Sequence, residues 1–182
     1  MTGSVPIVCI VGLSDSGKTT LVVKLVRELK RRGYRVATVK HDVHGFDVDV
    51  PGKDSWRHAE AGSDCVFIAG PDKLVMIRRL ERPPSLDDIA GYAVDIDIML
   101  VEGFKRSDKP KIEVSRREKG SRLLCSAEEL IAVATDQQFE LPVPQFDLDD
   151  ASGLIDLIVA RFLRPGEGAP HTLSTQGTGG DQ

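Results

Sequence analysis

Blocks of apolar and polar residues alternate along the chain and predict strands and helices in turn. The first apolar run, Ile7 to Val11, fits a strand that is buried on both faces. A helix is predicted from Lys18 to Arg32, because its apolar residues recur at the i, i+3, i+4, i+7 spacing of one packed face. These apolar residues are Val22, Leu25, Val26 and Leu29. Gly33 is expected to end the helix.

The same reading gives further elements as far as Leu163. Strands are predicted at 36–39, 65–69, 74–80, 96–101, 111–115, 130–134 and 143–146. Helices are predicted at 55–61 and 86–92, followed by a last helix that Asp149 or Asp150 caps and that runs to Leu163. Strands that alternate with helices in this way predict an α/β fold around a mostly parallel sheet.

Composition sets the domain organisation and excludes some classes of function. The 182 residues, 41% of them hydrophobic and 29% charged, fit one globular domain, which we place at 1–164. The remaining residues, 165–182, are rich in Gly, Pro, Ser, Thr and Gln and are predicted to be a disordered tail. The net charge of −4 argues against nucleic-acid binding.

The chain also lacks the signals of a membrane or secreted protein. No apolar run approaches the ~20 residues that span a bilayer, and Met1 to Pro6 do not resemble a secretion signal. A cytoplasmic protein with no membrane partner is therefore expected. Cys9, Cys65 and Cys125 lie far apart without a CxxC pair, so we expect buried free thiols.

The segment from Gly12 to Thr19 matches the pattern G-x-x-x-x-G-K-[ST] between a predicted strand and a predicted helix. In such a loop the backbone N–H groups face one centre and bind phosphate oxygens. Lys18 is expected to reach the β and γ phosphates, and the Thr19 hydroxyl is expected to bind Mg²⁺. The sequence therefore predicts a nucleoside triphosphate site in a P-loop NTPase-like three-layer α/β/α fold. Its phosphate-binding residues are Gly12, Ser14, Asp15, Ser16, Gly17, Lys18, Thr19 and Thr20.

Acidic residues after two other strands are candidate metal ligands. In α/β sheets, ligands bind beyond the carboxyl ends of the strands. Glu102 ends the apolar run 96–101 and would orient Mg²⁺ directly or through water, whereas Asp97 starts that run and lies at the far end. Asp42 follows the second strand and is a candidate second carboxylate.

Three interpretations of the polar loop 40–53 stay open. Its His and Asp residues could bond the local backbone, sense phosphate and Mg²⁺, or hold a transition metal. The metal ligands would be His41, His44, Asp47 and Asp49, although their spacing matches no defined zinc pattern.

The run Ala132 to Asp136 is an apolar strand that ends in Thr-Asp. A carboxylate at this strand end could accept hydrogen bonds from N1–H and the 2-amino group of guanine, a donor pair that adenine lacks. Asp136 is therefore a candidate base-reading residue, and the alternative is an ordinary loop acid.

Six motifs occur in a fixed order along the chain: Gly17-Lys18-Thr19-Thr20-Leu21, Lys40-His41, Asp47-Val48-Asp49-Val50-Pro51-Gly52-Lys53-Asp54-Ser55, Ala61-Gly62, Leu100-Val101-Glu102-Gly103-Phe104-Lys105 and Ile131-Ala132-Val133-Ala134-Thr135-Asp136. Together they resemble the MobB family of adapters in molybdopterin-guanine dinucleotide biosynthesis. The resemblance extends from about Ile7 to Leu163.

The resemblance implies a GTP-binding homodimer that assists a molybdenum cofactor guanylyltransferase, with weak GTPase activity at most. Carried over by position, Gly12 to Thr20 would hold phosphate, Glu102 would attend Mg²⁺, and Asp136 would face guanine. Lys18 and Glu102 are the candidate catalytic residues for any hydrolysis. Whether molybdopterin contacts this chain is left open.

Two other functions fit parts of the sequence. A small-molecule kinase uses the same fold and loop, but it needs an acceptor pocket and a lid with arginines, for which Arg57 and Arg106 are the candidates. A metallochaperone GTPase would use the loop from His41 to Asp49.

Overall fold

The computed structural model describes residues 4–42 and 45–163. The predicted metal ligand His44 and the predicted tail 165–182 lie outside this part of the chain. The described residues form two compact units. The first contains the chain up to His41 and again from Ala93, and the second extends from Asp42 to Tyr92. A single domain over 1–164 stays a prediction.

The elements follow the predicted order closely. The strands are β1 (Ile7–Gly12), β2 (Val36–Lys40), β3 (Cys65–Ala69), β4 (Leu74–Arg78), β5 (Ile98–Glu102), β6 (Lys111–Ser115), β7 (Leu130–Thr135) and β8 (Gln145–Phe146). The helices are α1 (Lys18–Arg31), α2 (Asp54–Glu60), α3 (Leu86–Ala90) and α4 (Ala151–Phe162). A short 3-10 turn covers Arg117–Lys119.

The first unit is built on a six-stranded sheet of order β2-β5-β1-β6-β7-β8. All of its pairings are parallel. The predicted α/β class with a mostly parallel sheet is therefore confirmed. β1 lies between β5 and β6. The strands β2 and β5 lie on one side of β1, and β6, β7 and β8 lie on the other, so the loop after β1 is at the point where the strand order changes direction. This is the position at which α/β sheets bind ligands.

The main core lies between this sheet and the helices α1 and α4. The apolar face of α1 is fully buried at Leu25 and Leu29, and α4 buries Leu154, Ile155 and Ile158. These side chains pack on alternate residues of the central strands, such as Val8 and Ile10. The predicted packed face of α1 is confirmed, with Val26 only partly buried at its margin.

Two charged residues on β6 are buried among polar partners. The side chain of Lys111 is 2% exposed, and its Nζ donates to the Ser107 carbonyl at 2.6 Å and to Glu129 Oε1 at 3.1 Å. Glu113 is equally buried and accepts the backbone N–H groups of Leu124 and Cys125. Burial raises the pKa of the Glu113 carboxyl, and these two hydrogen bonds oppose the rise. These hydrogen bonds attach the segment before β6 and the segment between β6 and β7 to the sheet.

The second unit contains α2, α3 and the antiparallel hairpin of β3 and β4. α2 packs against β3. α3 begins with a capping box, in which Ser85 and Asp88 bond each other's backbone N–H groups. The prediction of buried free thiols is only partly right. All three cysteines are free and Cys9 and Cys125 are buried, but Cys65 is half-buried because its two-stranded sheet has an exposed face.

No helix in the described part of the chain is both long and apolar enough to cross a membrane.

Candidate functional site

The loop between β1 and α1 has a backbone that side chains would obstruct. A Cβ atom on Gly12 would lie 2.5 Å from the Val114 carbonyl oxygen, and Gly12 has φ +148°. Gly17, immediately before α1, has φ +97° in the left-handed region. Asp15 is also left-handed, at φ 58°. The loop therefore curls tightly over the end of β1, and its two motif glycines permit that path.

The N-terminus of α1 opens into this loop without a capping side chain. The first N–H groups of a helix have no partner inside the helix, and they carry positive potential toward an anion. Lys18 adds a cation, whose Nζ donates to the Leu13 carbonyl at 2.7 Å. Unfilled N–H groups, a curled loop and a lysine together form a donor set that fits phosphate.

Thr19 and Glu102 are brought together although they are 83 positions apart. The Thr19 hydroxyl donates to Glu102 Oε1 at 2.8 Å. Glu102 reaches this place because β5 lies beside β1, with Ile10 and Glu102 in register. A hydroxyl and a carboxylate oxygen are ligands that suit Mg²⁺. Asp97 precedes β5 and lies at the end opposite to Glu102, as expected. There it accepts hydrogen bonds from Arg35.

His41 lies at the same edge of the sheet as Glu102. Its backbone N–H donates to the Glu102 carbonyl at 3.0 Å, and its ring stacks on Phe104 with the ring centroids 4.2 Å apart. Phe104 has φ 53°, an uncommon value for a residue with a side chain. His41 is thus held by the segment that follows β5.

The rest of the loop 40–53 belongs to the second unit. Asp49 accepts the Val50 backbone N–H and the Ser55 hydroxyl, which is the local bonding that one of the three interpretations expects. Among the described residues, no group of three His, Cys, Asp or Glu side chains is arranged to hold a metal ion. Asp42 is the first residue of this unit, and its role as a metal ligand stays a prediction.

Asp136 follows β7 directly and is exposed. Its Oδ1 accepts the Arg117 backbone N–H at 2.7 Å, while Arg117 Nη2 donates to the Asp136 carbonyl at 3.3 Å. One carboxylate oxygen is therefore engaged with the turn after β6. Oδ2 and the second lone pair of Oδ1 remain for a base, and the guanine-reading role stays a prediction.

An open depression of about 880 Å³ lies beside Asp136. Its lining includes Arg117, Gln137, Phe139 and Gln145, from the ends of β6, β7 and β8. The Gln145 amide bonds both the N–H and the carbonyl of Phe139, which fixes the loop after β7. Binding sites for small molecules commonly have volumes of ~300–1,000 Å³. The depression is therefore large enough for a nucleoside.

The sequence analysis missed Arg116, which the structure places against the phosphate loop. Its Nε donates to the Ser16 carbonyl at 2.8 Å. Ser16 itself has a fully buried hydroxyl without a hydrogen-bond partner in the described chain. The rule that identified Glu102 and Asp136 also applies to Arg116, because it follows directly after β6. A polar residue directly after the predicted strand 111–115 was the sequence feature that could have identified Arg116.

Comparisons with known proteins agree with this arrangement. Residues 7–136 match the family described as "MobB: Molybdopterin guanine dinucleotide synthesis protein B". A molybdopterin-guanine dinucleotide biosynthesis adapter protein of Haemophilus influenzae is 39% identical over 160 residues, which cover 87% of this chain and 90% of the relative. The Escherichia coli protein of the same name is 35% identical over 161 residues, covering 85% and 92%.

A solved structure shares the fold. The crystal structure of a molybdopterin-guanine biosynthesis protein B superposes with a TM-score of 0.65 at 32% sequence identity, covering 87% of this chain and 99% of that one. The family match extends from β1 to Asp136 and so includes both the phosphate loop and the Thr19–Glu102 pair. The chain belongs to the MobB family.

Proposed function

We propose that this protein is a GTP-binding adapter in molybdopterin-guanine dinucleotide biosynthesis, acting in the cytoplasm. The observation that carries the proposal is the phosphate loop with its Thr19–Glu102 pair, found in a chain of this family. The names of the relatives support the pathway and the adapter role. The kinase and metallochaperone alternatives have no comparable support.

The proposed site divides among the elements already described. The residues from Gly12 to Thr20, apart from Leu13, would bind the triphosphate, with Lys18 at its outer phosphates. Thr19 and Glu102, with Asp42 as a further candidate, would hold Mg²⁺, which would neutralise phosphate charge. Asp136 would face guanine beside the depression. The partner we propose is the molybdenum cofactor guanylyltransferase, which attaches GMP to molybdopterin.

The adapter role is tested by reconstituting guanylation. Purified guanylyltransferase, molybdopterin and Mg²⁺·GTP are combined with and without this chain, and formation of the dinucleotide is followed over time. We expect the chain to increase the rate. A Lys30→Ala variant, which alters an exposed lysine in the last turn of α1, should act as the unaltered chain does. An unchanged rate in the presence of the chain would contradict the adapter role.

GTP hydrolysis by the isolated chain is expected to be slow. Fast GTPases place a glutamine on the attacking water and an arginine on the transferring phosphate, which together contribute orders of magnitude in rate. Glu102 is followed by Gly103 and Phe104, so no glutamine stands directly after Glu102 to orient the attacking water. Release of phosphate should stay well below ~1 per second, the low end for ordinary enzymes. Turnover above that rate without a partner would argue against a binding module.

We also propose a homodimer, for which the second unit offers an apolar face. Phe67 pairs with Met76 and Ala69 with Leu74, so their side chains lie on one face of the hairpin. Phe67 is 61% exposed and Leu74 is 64% exposed. A two-fold interface brings the same patch of both copies together, so an apolar face can meet its equivalent.

The homodimer can be tested at this face. Covering the exposed parts of Phe67 and Leu74, about three fifths of each residue, would contribute roughly 1–2 kcal/mol per side chain to dimer stability. Phe67→Ser with Leu74→Ser should therefore raise the dimer dissociation constant tenfold or more, since about 1.4 kcal/mol corresponds to tenfold. Sedimentation over a concentration series measures the dissociation constant, and the control is Val94→Ser, which alters an apolar residue outside the hairpin that is 76% exposed. A monomeric unaltered chain would contradict the proposal.

A further inference from the structure

The turn after β6 carries Arg116, whose guanidinium lies along the phosphate loop. Its Nε donates to the carbonyl oxygen of Ser16 at 2.8 Å. A Cβ atom on Gly17 would be 3.2 Å from Arg116 Nη2 and 3.3 Å from Nε. The planar group thus covers the peptide unit that joins Ser16 to Gly17. A side chain at position 17 would press on it.

This contact sets the direction of a phosphate-binding amide. In a planar trans peptide, the C=O of one residue and the N–H of the next point to opposite sides. Holding the Ser16 carbonyl toward Arg116 therefore turns the Gly17 N–H away from Arg116 and toward the opposite side of the loop. Gly17 has no Cβ and is free in φ, so little else in its own structure prevents this peptide from rotating.

The turn that carries Arg116 is itself held by Asp136 and Gln137, which follow β7 on the proposed base-binding side of the site. The neighbouring Arg117 backbone N–H donates to Asp136 Oδ1 at 2.7 Å. The Gln137 amide donates to Ser115 Oγ at 3.2 Å and to the Gly120 carbonyl at 2.9 Å. The turn is therefore fixed on both sides of Arg116 by residues that follow β7.

We propose that Arg116 is a positioning residue that locks the Ser16–Gly17 peptide in the orientation that binds phosphate. The inference rests on the proposed GTP site and adds to it a residue that acts through the loop instead of through the nucleotide. The hydrogen bonds of Asp136 and Gln137 to the residues on either side of Arg116 connect the proposed base-binding side of the site to the phosphate loop.

The test compares Arg116→Ala with Arg27→Ala, which removes the same charge from an exposed position of α1. GTP and GDP affinities are measured by titration calorimetry, and the ¹⁵N-labelled chain without nucleotide is followed by NMR. A hydrogen bond to a charged group contributes enough to predict a loss of about tenfold or more. We expect Arg116→Ala to lose affinity for GTP and GDP by the same factor. The Gly17 and Lys18 amide resonances should shift even without nucleotide.

The outcomes separate the positioning role from other roles. Unchanged affinity would overturn the proposal. Affinity that falls while the loop resonances of the nucleotide-free variant stay in place would also overturn it, because Arg116 would then act on the nucleotide directly. Should Arg116→Ala not fold, Arg116→Met, which keeps a long side chain without any N–H donor, takes its place with the same expected results. An unaltered chain that binds no GTP would instead refute the proposed function, and the resonances would still report on the Arg116 contact.

Discussion

Lys18→Ala is expected to lower the affinity for GTP by about tenfold to a hundredfold and to leave the fold intact. Hydrogen bonds to charged groups are worth about 1.5–3 kcal/mol, and each 1.4 kcal/mol is a factor of ten in affinity. In the structure the Lys18 ammonium binds only the Leu13 carbonyl of its own loop among described partners. Because that contact is local, its loss should cost little stability.

Titration calorimetry and thermal unfolding measure the two halves of this expectation. The matched control is Lys30→Ala, which removes a lysine from the exposed last turn of the same helix. The unfolding midpoints without nucleotide should agree among the three proteins, and only Lys18→Ala should be stabilised less by added GTP. An affinity for GTP equal to that of the control would remove Lys18 from the site.

The parts of the fold that local pattern controls were predictable from the sequence. The apolar spacing from Val22 to Leu29 predicted the buried face of α1, and the glycine-rich motif was correctly placed between a strand and a helix. Glu102 could be found because a polar residue at the end of a buried strand faces the ligand edge. These features depend on residues close together in the chain.

The polar core of β6 was not predictable in the same way. Lys111-Ile-Glu113-Val-Ser115 alternates polar and apolar residues, the pattern of a strand with one face in solvent. The structure buries both charges, because Ser107 and Glu129 meet Lys111 while Leu124 and Cys125 meet Glu113. Their partners come from segments whose path is set by tertiary packing. No local spacing encodes such contacts.

The Asp136 hypothesis gained a constraint that sequence could not supply. From the sequence, both carboxylate oxygens were available to guanine. In the structure Oδ1 accepts the Arg117 N–H, so Oδ2 and the second lone pair of Oδ1 are what remain for the paired readout of a base. The same contact gives Asp136 a structural task. A variant that tests base reading must therefore keep the bond to Arg117.

Asp136→Asn meets that condition and is expected to change the preferred base. The amide carbonyl of asparagine can accept the Arg117 N–H as Oδ1 does, and its NH₂ group then takes the place of Oδ2. Guanine presents a 2-amino donor there, which would face the new donor and lose its acceptor. Xanthine has an oxygen at C2 and would accept from the NH₂ group. The variant should therefore lose affinity for GTP and gain affinity for XTP.

The size of the change in nucleotide preference, compared with a control variant, decides whether Asp136 reads the base. A well-aligned paired readout of a base is worth about 1–3 kcal/mol, so the unaltered chain should prefer GTP over ATP by roughly tenfold, and the variant should prefer XTP over GTP. Glu140→Gln removes one exposed acid a few residues along the same loop and should keep the preference for GTP. Competition titrations with the three nucleotides measure all of these ratios. If Asp136→Asn binds GTP and XTP as the unaltered chain does, Asp136 serves only to hold Arg117, and guanine must be recognised by other groups around the depression.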